Sequence, residues 1–332
     1  MIKTPFRSRV AGIGSYLPEK ILSNHDLEKM VDTNDQWVRE RTGIERRHIA
    51  ADGQYTSDLS LIATERALAD AQLKASDIDL ILLATVSPDQ VMPNTASALQ
   101  QKLGISNIPC LDISAACSGF IYGLSIADQF IRTGMYKNIL VIGAEVLHRI
   151  VNYKDRETCI LFGDAAGAWI ISRTDFDAKE GIFSTHLRAN GELGELFVLP
   201  AGGSKIPFSQ DALEKNLQFV TMKGREIFRH AVRTLTDCCH EALNANNVDS
   251  SQVDWLVPHQ ANVRILDSVA DHFEIPKEKV IISLHETGNT SAASIPVAFD
   301  LAVKEGKIKR GQMILLAAFG AGLTSGSALL RY

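Results

Sequence analysis

Short apolar runs alternate with amphipathic stretches along the whole chain, a pattern typical of an α/β fold. One apolar run near Pro109 leads into residues 119–131, where apolar side chains recur at helical spacing until Gly134. Two further runs, at residues 253–257 and 280–284, are short enough to be buried parallel strands, and polar residues follow each of them. The pattern therefore predicts strand-to-helix turns at which polar side chains gather.

The same order of elements occurs twice. Residues 67–82 align with residues 242–257 at an offset of 175, and both segments predict a helix end, a polar turn and a buried strand. Shorter matches follow in the same order. The repeat predicts two halves of similar βαβ-type layout, residues 1–175 and 176–332, which pack as a pseudo-twofold pair. Residues 188–216 are rich in glycine and interrupt the symmetry, and they predict a long surface excursion.

Cys117 lies at the predicted strand-to-helix turn of the first half. A thiol at a helix N-terminus faces unpaired backbone N–H groups and the positive end of the helix dipole, so we expect its thiolate to be favoured. Its neighbours at residues 114–116 and 118–119 are small and leave room for a substrate carbonyl beside the sulfur. The position alone fits a catalytic nucleophile and an inert, buried cysteine equally well.

Two polar side chains follow the apolar runs of the second half. His259 comes just after the run at residues 253–257, and Asn289 comes just after the run at residues 280–284. Taken singly, the histidine fits a packed core residue and the Gly-Asn pair fits a turn. An offset of 172 aligns Cys117 with Asn289, so a twofold axis would bring these helix starts together. The three side chains then supply a nucleophile and two hydrogen-bond donors, a set suited to acyl transfer.

Composition narrows the classes of function. Thirty-four Lys and Arg residues against 39 Asp and Glu residues give a net charge of −5, which argues against a nucleic-acid-binding surface. The five cysteines form no C-x-x-C pair, fit a reducing compartment and predict no metal site; we interpret the four besides Cys117 as packing residues. The amino terminus lacks an apolar secretory segment, and no run approaches the roughly 18 apolar residues of a membrane span. We expect a cytoplasmic protein without a nucleic-acid or membrane partner.

Three motifs together resemble those of the β-ketoacyl-acyl-carrier-protein synthase III family of thiolase-fold condensing enzymes. The motifs are residues 112–120, 257–262 and 288–294, and the likeness runs over residues 10–332. The resemblance implies an α/β, thiolase-like fold in which two pseudo-symmetric halves form a five-layer αβαβα sandwich. The first half carries the nucleophilic cysteine, and the second half carries the histidine and the asparagine.

The resemblance also implies the reaction. Cys117 would take an acyl group from acyl-CoA, after which malonyl-acyl-carrier protein binds and loses carbon dioxide. The resulting enolate attacks the acyl-cysteine, giving a 3-oxoacyl-carrier protein that starts fatty-acid synthesis. His259 and Asn289 would donate hydrogen bonds to the enolate oxygen, and the backbone N–H groups of Cys117 and Gly320 would hold the acyl oxyanion. CoA and phosphopantetheine thioesters are substrates here, and no cofactor is implied.

Binding positions carry over from the family in the same way. Those for CoA and phosphopantetheine fall on Trp37, Arg41, Arg156, Gly224, Phe228, Asn262 and Arg264. The carrier protein would dock on Arg229 and Arg264. The acyl pocket would include Phe319 and Met92, and the partner subunit of a homodimer would supply the methionine. Without the resemblance, Trp37 and Arg41 fit an ordinary amphipathic helix ending at Gly43.

Two departures from the family concern the substrates. Met92 stands where many relatives have an aromatic residue, and Asp271 and His272 stand where some relatives have carrier-docking lysines. These differences keep open a specialised synthase of the same fold, which condenses or transfers an unusual acyl group in secondary-metabolite or signal biosynthesis. A non-catalytic partner subunit is the remaining alternative, and the intact cysteine, histidine and asparagine argue against it.

Overall fold

The computed structural model describes residues 6–273 and 275–332. Its strands are β1 Phe6–Tyr16, β2 Lys20–Ser23, β3 Arg46–Ile49, β4 Leu80–Ala84, β5 Cys110–Ile113, β6 Asn138–Glu145, β7 Ala165–Asp175, β8 Gly181–Ala189, β9 Phe197–Val198, β10 Thr221–Met222, β11 Trp255–Pro258, β12 Met313–Gly320 and β13 Thr324–Arg331. Its helices are α1 Asn24–Leu27, α2 Asp35–Thr42, α3 Thr56–Ala71, α4 Thr95–Lys102, α5 Gly119–Arg132, α6 Arg156–Cys159, α7 Gln210–Glu214, α8 Gly224–Ala245, α9 Val263–His272, α10 Leu284–Thr287 and α11 Ser294–Lys304.

Two mixed sheets share one topology. The first has the strand order β1-β7-β6-β4-β5, and the second has the order β8-β13-β12-β11. In both sheets the first two strand pairs are antiparallel and the next pair is parallel. The position of β5 is taken in the second sheet by a single parallel bridge between Leu256 and Val280. The two halves of the chain therefore fold alike, as the repeat predicts.

The expected strand at residues 280–284 does not form, and that prediction is wrong. The segment runs beside β11, and the Ile281 amide donates to the Leu256 carbonyl at 2.9 Å. The Ser283 amide then donates to the side chain of Gln260 instead of a neighbouring strand, at 2.8 Å. Helix α10 starts at the next residue. A side chain thus replaces the strand ladder at this edge of the sheet.

Helices α5 and α11 each begin after a short 3₁₀ turn, formed by residues 116–118 and 291–293. These two turns are equivalent at the offset of 175, and Ala116 and Ser291 both have left-handed backbones, with φ of 46° and 48°. Cys117 therefore aligns with Ala292, so the alignment of Cys117 with Asn289 is wrong. A left-handed non-glycine residue costs about 1–2 kcal/mol. The repeat keeps this strained turn in both halves.

Side chains alternate across the strands and so enter different layers. In β4, Leu80 and Leu82 pack in the central layer, whereas Ile81 and Leu83 pack against α3 and α4. The central layer consists of α5 and α11 between the two sheets, and α8 and α9 cover the outer face of the second sheet. The layers run helix, sheet, helix, sheet, helix, which confirms the predicted five-layer α/β sandwich.

The first sheet takes its strands from Phe6 to Asp175, and the second takes them from Gly181 to Arg331. This distribution supports the division into residues 1–175 and 176–332, which we keep as a proposal. Over the described ranges, no helix combines the length and the apolar character needed to cross a bilayer.

Candidate active site

Cys117 lies in the turn between β5 and α5, with 5% of its surface exposed. Asparagine side chains cap α2, α4 and α9, whereas no side chain caps α5 or α11. The N-termini of α5 and α11 therefore keep their first backbone N–H groups free of side-chain acceptors. The turns at residues 116–118 and 291–293 contact each other. This contact brings the starts of the two central helices to one point between the sheets.

Burial raises the pKa of the Cys117 thiol to about 12. A hydrogen bond with Ser291 acts in the opposite direction, and the nearby negative charge of Glu145 raises the pKa further. The expectation that the helix N-terminus favours a thiolate here is wrong for the free protein. Loss of water around a thiol that is only 5% exposed outweighs the helix dipole, which contributes about 1 kcal/mol. The thiol therefore has to lose its proton as part of the reaction.

His259 follows β11 and is 2% exposed. Its amide donates to the Ala317 carbonyl at 2.8 Å, and its Nδ1 lies 2.7 Å from Ser294 Oγ, at the start of α11. The same Oγ accepts a hydrogen bond from the Gln260 amide at 3.4 Å, which leaves the proton of the Ser294 hydroxyl available to be donated to Nδ1. Burial lowers the pKa of His259 to about 3. The ring is thus neutral, and with Ser294 donating to Nδ1 its proton lies on Nε2, which can donate to a ligand.

Asn289 is fixed by its backbone and by one side-chain oxygen. Its amide donates to the Leu161 carbonyl at 2.9 Å, and its carbonyl accepts from the Gly163 amide at 3.1 Å. Its Oδ1 accepts a hydrogen bond from the Ser291 amide at 2.9 Å. With Oδ1 engaged, the Nδ2 amide is the group left for a ligand. Asn289 therefore offers a second neutral donor beside the turn that contacts Cys117.

Gly320 ends β12 directly against the backbone of Cys117. A Cβ at position 320 would lie 2.6 Å from the Cys117 nitrogen and 3.2 Å from its Cα, so no side chain fits there. The two backbone N–H groups predicted to hold an acyl oxyanion therefore belong to adjacent residues in space. Among the described residues, no cluster of three or more His, Cys, Asp or Glu side chains is arranged to hold a metal ion.

An apolar cavity of about 120 Å³ opens beside the thiol. It is lined by Val86, Ala116, Cys117, Leu147, Ile150, Val151, Phe162, Phe197, Val198, Leu199, Val220, Ser291 and Ala321. Phe319 does not line it, because alternation along β12 turns this side chain to the outer layer beneath α8. Residues 197–199 do line it, so the predicted surface excursion also covers the site. The only sequence feature that marks them is a short apolar run within a glycine-rich segment.

Two family models match the chain. The model for the C-terminal part of 3-oxoacyl-[acyl-carrier-protein] synthase III matches residues 243–332, and the model for 3-oxoacyl-[acyl-carrier-protein] synthase III matches residues 111–191. The β-ketoacyl-[acyl-carrier-protein] synthase III of Caldanaerobacter subterraneus is 50% identical over 323 residues, which cover 97% of each chain. The chain belongs to the synthase III family. The resemblance of its three motifs to that family is thereby confirmed.

Solved structures of the synthase III family share the fold. The 3-oxoacyl-[acyl-carrier-protein] synthase III of Aquifex aeolicus aligns with a TM-score of 0.90 at 45% identity, covering 98% of this chain and 100% of that one. The priming β-ketosynthase of the R1128 polyketide pathway aligns with a TM-score of 0.90 at 32% identity, covering 100% of this chain and 98% of that one. Both comparisons span essentially the whole five-layer sandwich.

Five of the positions carried over from synthase III for CoA come together at the surface. The guanidinium groups of Arg41 and Arg156 lie 4.6 and 4.8 Å from the centre of the Trp37 ring. Asn262 donates from Nδ2 to the Arg41 carbonyl at 2.9 Å, and Arg264 donates from Nη2 to the Glu40 carbonyl at 2.9 Å. The predicted helix ending at Gly43 is confirmed, and it carries Trp37 and Arg41. Arg156 starts α6, and Asn262 and Arg264 lie at the start of α9. We call these five residues the tryptophan–arginine cluster.

The remaining predicted positions are more dispersed. Gly224 starts α8, and Phe228, one turn later, packs against the outer core layer. Arg229 is exposed on the same helix. Met92 is 84% exposed beside Val91, which is 85% exposed, and neither lines the cavity of its own chain. Together the two side chains form a small apolar patch in solvent.

We expect His259 to make the protein less stable in acid. Its folded-state pKa of about 3 lies below the ordinary value of 6.5. The neutral ring therefore adds its full contribution to the free energy of unfolding above pH 6.5, and this contribution is lost as the pH falls toward 3. Between pH 6.5 and about pH 5, the loss amounts to about 2 kcal/mol. Over this range, the free energy of unfolding measured with urea should depend less on pH in His259→Gln than in the wild-type protein. The control His25→Gln, on a solvent-exposed ring, should leave the curve unchanged, and equal slopes in all three proteins would contradict the assignment.

Proposed function

We propose that this chain condenses an acyl-CoA starter with malonyl-acyl-carrier protein through an acyl-cysteine, giving a 3-oxoacyl-carrier protein and initiating fatty-acid synthesis. The observation that carries the proposal is the convergence of Cys117, His259 and Asn289. The histidine is bound to the first residue of α11, the asparagine to the turn before it, and that turn contacts the turn holding the cysteine. A buried thiol beside an apolar cavity and two neutral donors suits both halves of the reaction.

Acylation forms a bond between Cys117 Sγ and the thioester carbonyl carbon. The negative charge that develops on the carbonyl oxygen would be held by the N–H groups of Cys117 and Gly320. These backbone donors do not reorganise during the reaction, because β12 and the turn are packed against each other. The apolar cavity receives the acyl chain and excludes water from the thioester.

Decarboxylation places negative charge on the malonyl thioester oxygen. The Nε2–H group of His259 and the Nδ2–H group of Asn289 would donate to this oxygen. Both residues are buried, so these hydrogen bonds act in a medium of low dielectric constant, and removing one donor of such a pair costs about 3–4 kcal/mol of transition-state stabilisation. A neutral imidazole can fill this role, because the nitrogen that carries its proton donates while the other nitrogen accepts from Ser294.

We also propose the substrate contacts. The tryptophan–arginine cluster would stack on the CoA base and neutralise its phosphates. The hydrogen bond from Asn262 to the Arg41 carbonyl would fix α9 against α2. The reaction needs no cofactor, because Cys117, His259 and Asn289 supply the nucleophile and the donors. Val91 and Met92 would enter the acyl pocket of a second copy, making the enzyme a homodimer, and we expect it to act in the cytoplasm.

A specialised synthase is the second candidate function. The relatives include a priming β-ketosynthase of a polyketide pathway, and the departures at Met92, Asp271 and His272 concern the starter pocket and the carrier dock. The choice of acceptor separates the two candidates. Product formation with malonyl-acyl-carrier protein supports the main proposal, whereas turnover with malonyl-CoA alone supports the specialised enzyme.

The carrier dock gives a test of the acceptor by charge reversal. Arg229 and Arg264 lie on the adjoining helices α8 and α9, and Asp271 is exposed at the far end of α9. Because the carrier is acidic, Arg264→Glu should raise the KM for malonyl-carrier protein and Asp271→Lys should lower it. Each change should be about two- to five-fold and should weaken as salt is added.

The control for this test is Lys307→Glu, which reverses an exposed charge beyond the C-terminus of α11. Helix α11 begins at the candidate site, so this lysine lies at the other end of the central layer. It should leave the KM unchanged. If both Arg264→Glu and Asp271→Lys keep the wild-type KM, the carrier docks elsewhere.

A further inference from the structure

A buried carboxyl group lies behind the cavity wall. Glu145 ends β6 and exposes none of its surface. Its Oε2 accepts hydrogen bonds from Ser87 Oγ at 2.5 Å, from Thr85 Oγ1 at 3.1 Å and from the Val86 amide at 3.1 Å. No Lys, Arg or His pairs with it within the ranges that the structure describes. A buried acid without a cationic partner is rare in proteins and points to a function.

The backbone brings Glu145 to the reacting thiol. A Cβ at Gly143 would lie 2.1 Å from the Ala292 carbonyl oxygen, so β6 touches the turn at residues 291–293. Glu145 lies two residues farther along and on the same face of the strand. Ser291, in that turn, lines the cavity together with Cys117. Its hydroxyl is close enough to the Cys117 thiol and to the Glu145 carboxyl to lower the pKa of each. Thiol, hydroxyl and carboxyl therefore lie together where β6 meets the turns at residues 116–118 and 291–293.

The chemistry of the three groups suits proton transfer. Oε1 of Glu145 accepts only a long hydrogen bond of 3.3 Å, from the Val86 amide, and has capacity for another donor. Burial raises the pKa of Glu145 to about 7, whereas burial lowers the pKa of His259 to about 3. Glu145 is therefore the stronger base of the two at neutral pH. A hydroxyl that accepts one proton while it donates another can link such a base to a thiol.

We propose that Glu145, acting through the hydroxyl of Ser291, takes up the proton that Cys117 releases when it is acylated. The inference rests on the proposed function. The S–H bond of Cys117 breaks and its proton passes to Ser291 Oγ, while the proton of Ser291 passes to a carboxyl oxygen of Glu145. The sulfur electron pair bonds to the thioester carbonyl carbon, and the bond from that carbon to the CoA sulfur breaks. CoA leaves as a thiolate, and the proton on Glu145 returns through Ser291 to neutralise it.

Glu145 and Ser291 are thus positioning residues, since neither forms a bond to the substrate.

Only a few kinds of polar group surround the Glu145 carboxyl among the described residues. Cys117 is the titratable group that faces it from the turn before α5, and hydroxyl and amide groups face it from residues 85–87 and from the turn before α11. The acylation rate should therefore rise as the pH passes through about 7, as Glu145 loses its proton.

The test measures single-turnover acylation of the full-length enzyme by acetyl-CoA across pH, using Glu145→Gln and Ser291→Ala. Glutamine cannot take up the proton, and alanine removes the link. Alanine keeps the fold, because Ala116 adopts the same left-handed backbone in the equivalent turn. Both variants should acylate about 100-fold more slowly at neutral pH and lose the rise through about pH 7, whereas Glu145→Asp should retain the rise. The control Thr85→Val removes one hydrogen bond that lowers the pKa of Glu145, so it should keep the rise in rate and move it to slightly higher pH.

The outcomes separate the two proposals. If the wild-type enzyme forms no acyl adduct, the proposed function fails. If it acylates and either Glu145→Gln or Ser291→Ala retains its rate and its pH profile, the relay is overturned. A uniform loss of rate with an unchanged pH profile also overturns it, because that result indicates a purely structural role. Loss of the rise through about pH 7 in both variants, with normal thermal unfolding of Ser291→Ala, supports the relay.

Discussion

Replacing Cys117 with alanine is expected to abolish the mass increase that wild-type enzyme shows after incubation with acyl-CoA. The thiol is the only sulfur among the described residues that lines the cavity beside the helix starts. Its backbone contacts that of Gly320, whose N–H group is the second proposed donor to an acyl oxyanion. Removal of the nucleophile leaves no atom to carry the acyl group. Intact-mass spectrometry measures this directly, because the adduct is covalent.

Two other cysteines serve as controls for that experiment. Cys159 and Cys238 are also free and buried, and burial raises the pKa of each thiol. Cys159 is the last residue of α6 and Cys238 lies within α8, and neither lines the cavity. Cys159→Ala and Cys238→Ala should therefore form the adduct as wild type does. An acyl adduct that survives on the Cys117→Ala variant would overturn the assignment of the nucleophile.

Replacing His259 or Asn289 with alanine is expected to separate the two half-reactions. Each side chain offers one neutral donor, and the backbone already supplies donors for the acylation oxyanion. Self-acylation should therefore remain near the wild-type rate. Decarboxylation of malonyl-carrier protein should fall by about 100-fold or more, because one donor to the enolate oxygen is lost.

The measurement pairs acyl-adduct formation with release of labelled carbon dioxide. His285→Ala is a matched control, since this histidine lies on α10, four residues before Asn289, and does not line the cavity. It should change neither half-reaction. An equal loss of both half-reactions in the His259 and Asn289 variants would show that these residues also act on the first step.

The repeat in the sequence predicts the architecture because each half contributes one sheet that is buried on both faces, and both sheets need the same pattern of apolar residues. Strands β4 and β11 start at equivalent positions, as do β6 and β12, since each must place alternate apolar residues on two buried faces. The run at residues 280–284 carries the same pattern without forming a strand. There the side chain of Gln260 accepts the hydrogen bond of the Ser283 amide, and composition cannot reveal that contact.

The site was predictable in its residues and not in its electrostatics. The turn around Cys117 is visible as small residues between an apolar run and a helix, but the degree of burial that raises the thiol pKa depends on packing between distant segments. Glu145 illustrates the same limit. In the sequence it is the last residue of a buried strand, and only the approach of β6 to residues 291–293 brings it near the thiol.

The central claim is that an acyl group passes through Cys117 to a malonyl-derived carbon. The most direct test is to load the wild-type enzyme with labelled acetyl-CoA, remove the excess, and add malonyl-acyl-carrier protein while mass spectrometry follows both proteins. The label should first appear on the peptide that contains Cys117 and then move to the carrier as a 3-oxoacyl group, with one carbon dioxide released for each transfer. A label that stays on the enzyme, or that reaches the carrier without release of carbon dioxide, would contradict the account.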